Sequence, residues 1–232
     1  MTIGVIAAMR IEFDGIVESM KDRREECVGG LCFVSGEISG RRVVAVMCGI
    51  GKVFAAIAAE AMTIKYSPDV IINTGVAGAL SDKLNIFDIV IADGAVEHDF
   101  ECGCGRGVIQ GLEGSLEGGV IPCDRRVVEA LSRAVSELGF HSLIGKVATG
   151  DQFISDDEVK RGIKDAHGAL ACEMEGGAVG QVCLYNGVPY GIIRAISDGG
   201  GDDAGMLYEE FAPRAAKNSI AVTLRFIEGF EL

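Results

Sequence analysis

The chain has 232 residues, 49% hydrophobic and only 6% aromatic, with no Trp and a formal charge of −13 at pH 7. That length suits one sizeable core, so a single domain over residues 1–232 is expected. The acidic balance argues against nucleic acid or an anionic membrane as partner, because Lys and Arg make those contacts.

From the N-terminus, Ile3 to Ala8 is an apolar run that changes at Met9 to a helical period through Phe13, Ile16 and Met20. A charged turn, "KDRREE", leads to two β-type runs, "LCFVSGEI" and "RRVVAVMC", joined at Ser39–Gly40 as a hairpin. Gly49 and Gly51 open a helix expected to carry Phe54, Ile57, Ala58 and Met62 on one face, and Pro68 stops it. "DVIINTGVAGAL" has the continuous apolar character of a fully buried strand. "FDIVIADGAVEHDF" is a further β-type segment, and the glycine-rich stretch from Glu101 to Pro122 is expected to be a mobile loop. Helix "DRRVVEALSRAVSEL", strand "SLIGKVATGDQFI", helix "DDEVKRGIKD", strand "GALACEME", helix "GGAVGQVCLYN" and strand "PYGIIRAISD" follow. A closing amphipathic helix is expected from about Tyr208 to Glu228, with Pro213 tolerated in its first turn.

Alternating strands and helices predict an α/β fold with a mostly parallel sheet, to which the early hairpin adds antiparallel strands. A core without Trp, built from Val, Ile, Leu and Ala, fits strands covered by helices on both faces. The eight cysteines form no CxxC pair and read as reduced thiols. No basic leader precedes a long apolar run and no stretch reaches the length of a membrane span, so a soluble cytoplasmic protein is expected.

In such sheets ligands bind beyond the carboxyl ends of the strands, and several strands end in reactive residues. Gly75 and Gly78 in "INTGVAGAL" allow a tight turn, or close approach of backbone N–H groups to a ligand, without the Lys of a P-loop. Arg194 interrupts an apolar strand and wants a carboxylate or a polar ligand, while Asp198 ends that strand, as a site residue or a turn cap. Glu12 falls in a helix first turn, where a carboxylate ordinarily answers the helix dipole. His98, Asp99, Cys102 and Cys104 match no zinc spacing. Glu12, Glu175 and Asp198 are placed where an α/β sheet would gather them on one rim, a geometry suited to acid–base cleavage of a glycosidic bond.

"IGVIAAMRIEF", "CGIGKVFAA", "PDVIINTGVAGAL", "ATGDQFI", "ACEMEGGAVGQVC" and "VPYGIIRAISD" resemble, in order, the motifs of the 5′-methylthioadenosine/S-adenosylhomocysteine nucleosidases, within the superfamily of the purine nucleoside and uridine phosphorylases. The resemblance implies a three-layer α/β/α sandwich with a mostly parallel mixed sheet, nucleoside phosphorylase-like. It implies hydrolysis of a purine nucleoside to adenine and a 5-thio-substituted ribose, without metal or organic cofactor, by a homodimer. By the same resemblance Asp198 is the general acid at purine N7, with Ser197 orienting it, and Glu12 activates water with Arg194 nearby. Glu175 holds the ribose hydroxyls, Met174 packs on the sugar, Phe153 stacks on the base and the Ile154 backbone reads its edge. Met9, Ile50, Val76, Ala77, Gly78 and Tyr208 line the rest.

The chain departs from the pattern where Val76 replaces a common Ser, and where Gly176 and Gly177 replace bulkier residues, with the expectation of a wider pocket. The loop "FECGCGRGVIQGLEG" offers Cys and Gly in the region where family dimers lend an apolar residue. Alternatives are a futalosine-type hydrolase, a purine nucleoside phosphorylase, and a catalytically silent nucleoside-binding protein.

Overall fold

The structure, a computed structural model, describes residues 1–101, 119–199 and 204–231, residues 204–207 by their backbone alone. In chain order the elements are β1 (Thr2–Ala7), α1 (Arg10–Glu18), β2 (Lys21–Val28), β3 (Leu31–Ile38), β4 (Arg41–Met47), α2 (Lys52–Tyr66), β5 (Val70–Ala79) and β6 (Ile89–Glu97). There follow β7 (Ile121–Pro122), α3 (Arg125–Leu138), β8 (Ser142–Thr149), α4 (Asp157–His167), β9 (Ala171–Glu173), α5 (Gly176–Asn186), β10 (Tyr190–Asp198) and α6 (Ala204–Gly229). The ends obey local chemistry. Asp124 and Asp156 cap α3 and α4 by accepting backbone N–H bonds, and Gly139, Gly168 and Gly187 close helices in the left-handed region.

Among the described residues all ten strands join one mixed sheet. β1 lies parallel between β4 and β5, and β3 and β2 extend that side as antiparallel strands. On the other side β10 pairs parallel with β5 and antiparallel with β6, β6 pairs with β8, β8 with β9, and β9 with β5. These five strands therefore close into a ring, and the expected sandwich is half barrel. Such closure needs antiparallel contacts within the sheet's centre, beyond those of the hairpin. One apolar core packs α1, α3 and α6 against one face, and a second packs α2 and α5 against the other. β5 and β10 are buried along their whole lengths, including the polar Asn73, Thr74, Arg194, Ser197 and Asp198 that interrupt their apolar sequences.

Several local expectations are corrected. "KDRREE" is not a turn but most of β2, an exposed edge strand recruited by backbone pairing with β3. Cys27 and Cys32, directly opposite across that pair, form a disulfide, so not every cysteine is a free thiol. Cys48, Cys123, Cys172 and Cys183 are free. On α2 the inward face is Ala55, Ala58, Ala59 and Met62, while Phe54 and Ile57 point outward, and α5 packs alongside the helix. Helix α6 starts earlier than its periodicity implied, which puts Pro213 in its interior. The short β7 interrupts the end of the anticipated loop, most of which lies outside the described residues. Among the described residues no helix is long and apolar enough to cross a membrane.

Candidate active site

The register of β10 on β5 sets Arg194 opposite Gly75 and Asp198 opposite Gly78. Both glycines make room for acidic groups. A Cβ at Gly75 would lie 2.7 Å from Glu12 Oε1, and one at Gly78 2.9 Å from Asp198 Oδ1. Above these strand ends a cavity of about 460 Å³ opens. Its walls include Met9, Glu12, Ile50, Val76, Ala77, Gly78, Phe153, Ile154, Met174, Glu175, Ser197, Asp198 and Tyr208. Every anticipated site residue except Arg194 thus meets in one place. Ala8, Gln152, Cys172, Glu173 and Glu209 also line it, and sequence reasoning did not select them.

Glu12 is far more than a helix-dipole residue. Its Oε2 accepts from the backbone N–H of Ala8 (3.1 Å) and Met9 (3.0 Å), and its Oε1 from that of Val76 (3.0 Å). Three donors from two strand ends fix this carboxyl group. Burial pushes its pKa up, opposed by the Arg194 charge and these hydrogen bonds. The backbone N–H of Val76 is thus what serves Glu12.

Arg194, 1% exposed, lies beneath the cavity rather than on its wall. It donates to the side chain and carbonyl of Asn73 and to Glu173, and its Nη2 is 3.8 Å from Glu175 Oε2. Glu173 in turn accepts from Thr149 Oγ1 and from the backbone N–H groups of Glu175 (3.0 Å) and Gly176 (2.7 Å). Of the two carboxylates that flank Met174 on the cavity wall, Glu173 is thus the partnered group that anchors Arg194. Glu175 Oε1 accepts from Gly51 N–H at 3.0 Å. Burial, with the neighbouring Glu173 charge adding to it, pushes the Glu175 pKa up to about 7.

Gly176 and Gly177 do not widen the cavity, since neither lines it. A Cβ at Gly176 would sit 2.8 Å from Ile192 Cδ1, and one at Gly177 3.0 Å from Thr149 Oγ1. Packing of the α5 start against the sheet requires both.

Asp198 ends β10 with Ser197 Oγ 3.1 Å from its Oδ2. Its Oδ1 receives a hydrogen bond from Lys160 Nζ at 3.0 Å, a buried ion pair. At the mouth Phe153, 51% exposed, meets Tyr208 edge-on at 5.4 Å, and Tyr208 donates to Met9 Sδ at 3.0 Å. Four buried carboxyl groups (Glu12, Glu173, Glu175, Asp198) thus face two buried cations (Arg194, Lys160), and no Lys or Arg among the described residues lines the cavity. The field inside it favours a species that gains positive charge. The one described cluster able to hold a metal, Glu25 with Cys27 and Cys32, is exposed on the β2–β3 hairpin, with both sulfurs in the disulfide.

Residues 2–228 match a family model described as "Phosphorylase superfamily". The chain is 37% identical over 230 residues to the 5′-methylthioadenosine/S-adenosylhomocysteine nucleosidase of Shewanella halifaxensis, covering 98% of this chain and 99% of that one. It superposes with a TM-score of 0.93, at 31% identity and 99% coverage of both chains, on the corresponding nucleosidase of Neisseria meningitidis in complex with methylthio-immucillin-A. The futalosine hydrolase of Helicobacter pylori superposes with a TM-score of 0.91, at 27% identity over 99% of this chain and 98% of that one.

Proposed function

The chain belongs to the 5′-methylthioadenosine/S-adenosylhomocysteine nucleosidases of the phosphorylase superfamily, and from that premise we propose that it hydrolyses the N-glycosidic bond of both nucleosides to adenine and the 5-thio-substituted ribose. The observation that carries this reading is the pairing of Glu12 and Asp198 on one cavity whose buried charge is predominantly negative. Breaking the bond leaves the ribose with oxocarbenium character, and surrounding carboxylates stabilise that cation more than the neutral substrate.

In this reading Asp198, steadied by Ser197, protonates purine N7, and Glu12 takes a proton from the water that adds to C1′. Glu175 holds the ribose hydroxyls and Met174 covers the sugar. Phe153 stacks on the base, the backbone of Ile154 reads its edge, and Met9, Ile50, Val76, Ala77, Gly78 and Tyr208 complete the walls. Arg194 acts from beneath, orienting Glu175 through Glu173. The chemistry calls for no metal or organic cofactor.

The absence of a cation on the described walls disfavours phosphate as nucleophile, because an anion of that charge density needs Lys or Arg. The reading also includes a cytoplasmic location and a homodimer, the dimer supported by the outward apolar residues Ile50, just before α2, and Val53, Phe54 and Ile57 on its first turns. The deciding experiment incubates the protein with methylthioadenosine, S-adenosylhomocysteine and futalosine, with and without phosphate, and identifies base and sugar. Free adenine with the free thio-sugar is expected. A sugar 1-phosphate would overturn hydrolysis, and cleavage of futalosine alone would move the substrate to the 6-oxopurine series.

A further inference from the structure

Helix α4 buries the wrong residue by ordinary patterning. Of its side chains only Lys160 and Ile163 are buried, while the apolar Val159 beside them is 45% exposed. A lysine is almost never fully buried without a partner, because its charge loses several kcal/mol of hydration. Lys160 keeps 5% of its surface, lies three residues from Ile163 of the small core that includes Ile154 and Cys172, and spends its ammonium on Asp198 Oδ1 at 3.0 Å. It does not line the cavity, so whatever it does there it does through Asp198.

We propose that Lys160 is a positioning and proton-holding residue: Lys160 and Asp198 act as one unit in which the ammonium stores the proton that Asp198 passes to the leaving base. The inference rests on the nucleosidase reading above. As the C1′–N9 bond breaks, its electron pair moves into the purine and N7 takes a proton from an Asp198 oxygen. The Asp198 carboxylate, ion-paired at rest, takes that proton from Lys160 Nζ in the same step, so Asp198 ends the step a carboxylate and Lys160 a neutral amine. Water adds to C1′ and its proton goes to Glu12. After product release Glu12 returns a proton to solvent and Lys160 regains one, so the net change is substrate plus water to adenine plus sugar.

The surroundings suit such a relay. Cys172 on β9 and Tyr208 on α6 face Asp198, and burial pushes the pKa of each up to about 12, so neither exchanges protons near neutrality. Glu173, in the Arg194 pair, lies behind Cys172. Glu12 and Glu175 across the cavity do titrate, but they are common to every variant below, so the comparison between variants isolates Lys160. On α4 itself Asp157, Glu158, Arg161, Lys164, Asp165 and His167, with the cap Asp156, are exposed or half-buried and likewise unchanged.

The test measures kcat and KM for adenine release from methylthioadenosine between about pH 5 and about pH 10 for wild type, Lys160→Arg and Lys160→Met. A guanidinium keeps the charge and the hydrogen bond but does not give up its proton. Lys160→Arg is therefore expected to lose at least about tenfold in kcat above neutrality with KM little changed. Lys160→Met is expected to hold activity at the acidic end, where Asp198 draws its proton from solvent, and to lose it at a lower pH than wild type. Wild-type kcat at alkaline pH in Lys160→Arg would reduce Lys160 to a structural counter-ion and overturn the proposal. Should the bulkier side chain prevent folding, as judged by circular dichroism, the alkaline limb of Lys160→Met decides alone: an unshifted limb overturns it. If wild type releases no adenine, the nucleosidase reading fails first, which is a separate outcome.

Discussion

Asp198 and Glu175 sit at one cavity yet invite different experiments. Asp198→Asn removes the acid while keeping the shape, and is expected to lower kcat by about 10²–10⁴-fold in an adenine-release assay. Its circular dichroism should stay native. Glu175 bears on stability as well, because burial raises its folded pKa from the ordinary 4.5 to about 7. The native state then binds more protons than the unfolded chain between those values, so the contribution is fully present below about pH 4.5 and is lost as pH rises through about 7. Glu12 is shifted in the same direction by burial. Glu175→Gln should flatten the fall in urea-unfolding free energy across that window by an amount on the order of a few kcal/mol; an unaltered slope would assign the shift elsewhere. Glu12, Glu175 and Asp198 were legible because each stands at a change of period. Lys160 was not, because a lysine beside a valine on a short helix looks like solvent-facing charge, and only the ion pair reveals its direction.

The elements were largely legible where periodicity was strong: β5, β10, α3 and the hairpin at Ser39–Gly40, whose two residues both take positive φ. What escaped was set by tertiary pairing. β2 has no β-like composition and exists because β3 offers it hydrogen bonds. The inward face of α2 carries alanines and Met62, with α5 alongside. The start of α5 shows the same logic. Ala is a better helix former than Gly by about 1 kcal/mol, but a Cβ 3.0 Å from Thr149 Oγ1 and 3.1 Å from Glu97 Cγ forces neighbours to shift at about 1–3 kcal/mol. Gly177→Ala is therefore expected to be destabilising in thermal unfolding. It should leave the kcat/KM ratio between methylthioadenosine and S-adenosylhomocysteine unchanged, and an altered ratio would restore a substrate role to this glycine.

At the scale of the whole molecule, the α/β class follows from alternating elements, whereas the closed ring of β5, β9, β8, β6 and β10 could not be read from local sequence, because it depends on β10 pairing on both sides. The exposed apolar start of α2 also has meaning only at this scale. If it is the dimer face, Phe54→Glu with Ile57→Glu buries charge without partners and should weaken self-association by about 100-fold or more, seen as monomer in sedimentation. Ring closure has a further consequence for how the chain behaves in a crowded solution. A strand with a free side is a template on which another chain can add itself, and β10, buried along its whole length, has no free side to offer. The long open flank is β2, whose sequence from Lys21 to Glu26 is wholly charged and which is tied to β3 by Cys27 and Cys32. Runaway strand-to-strand stacking would have to start at a border that repels newcomers and cannot slide, so the sheet guards itself where it had to be left unfinished.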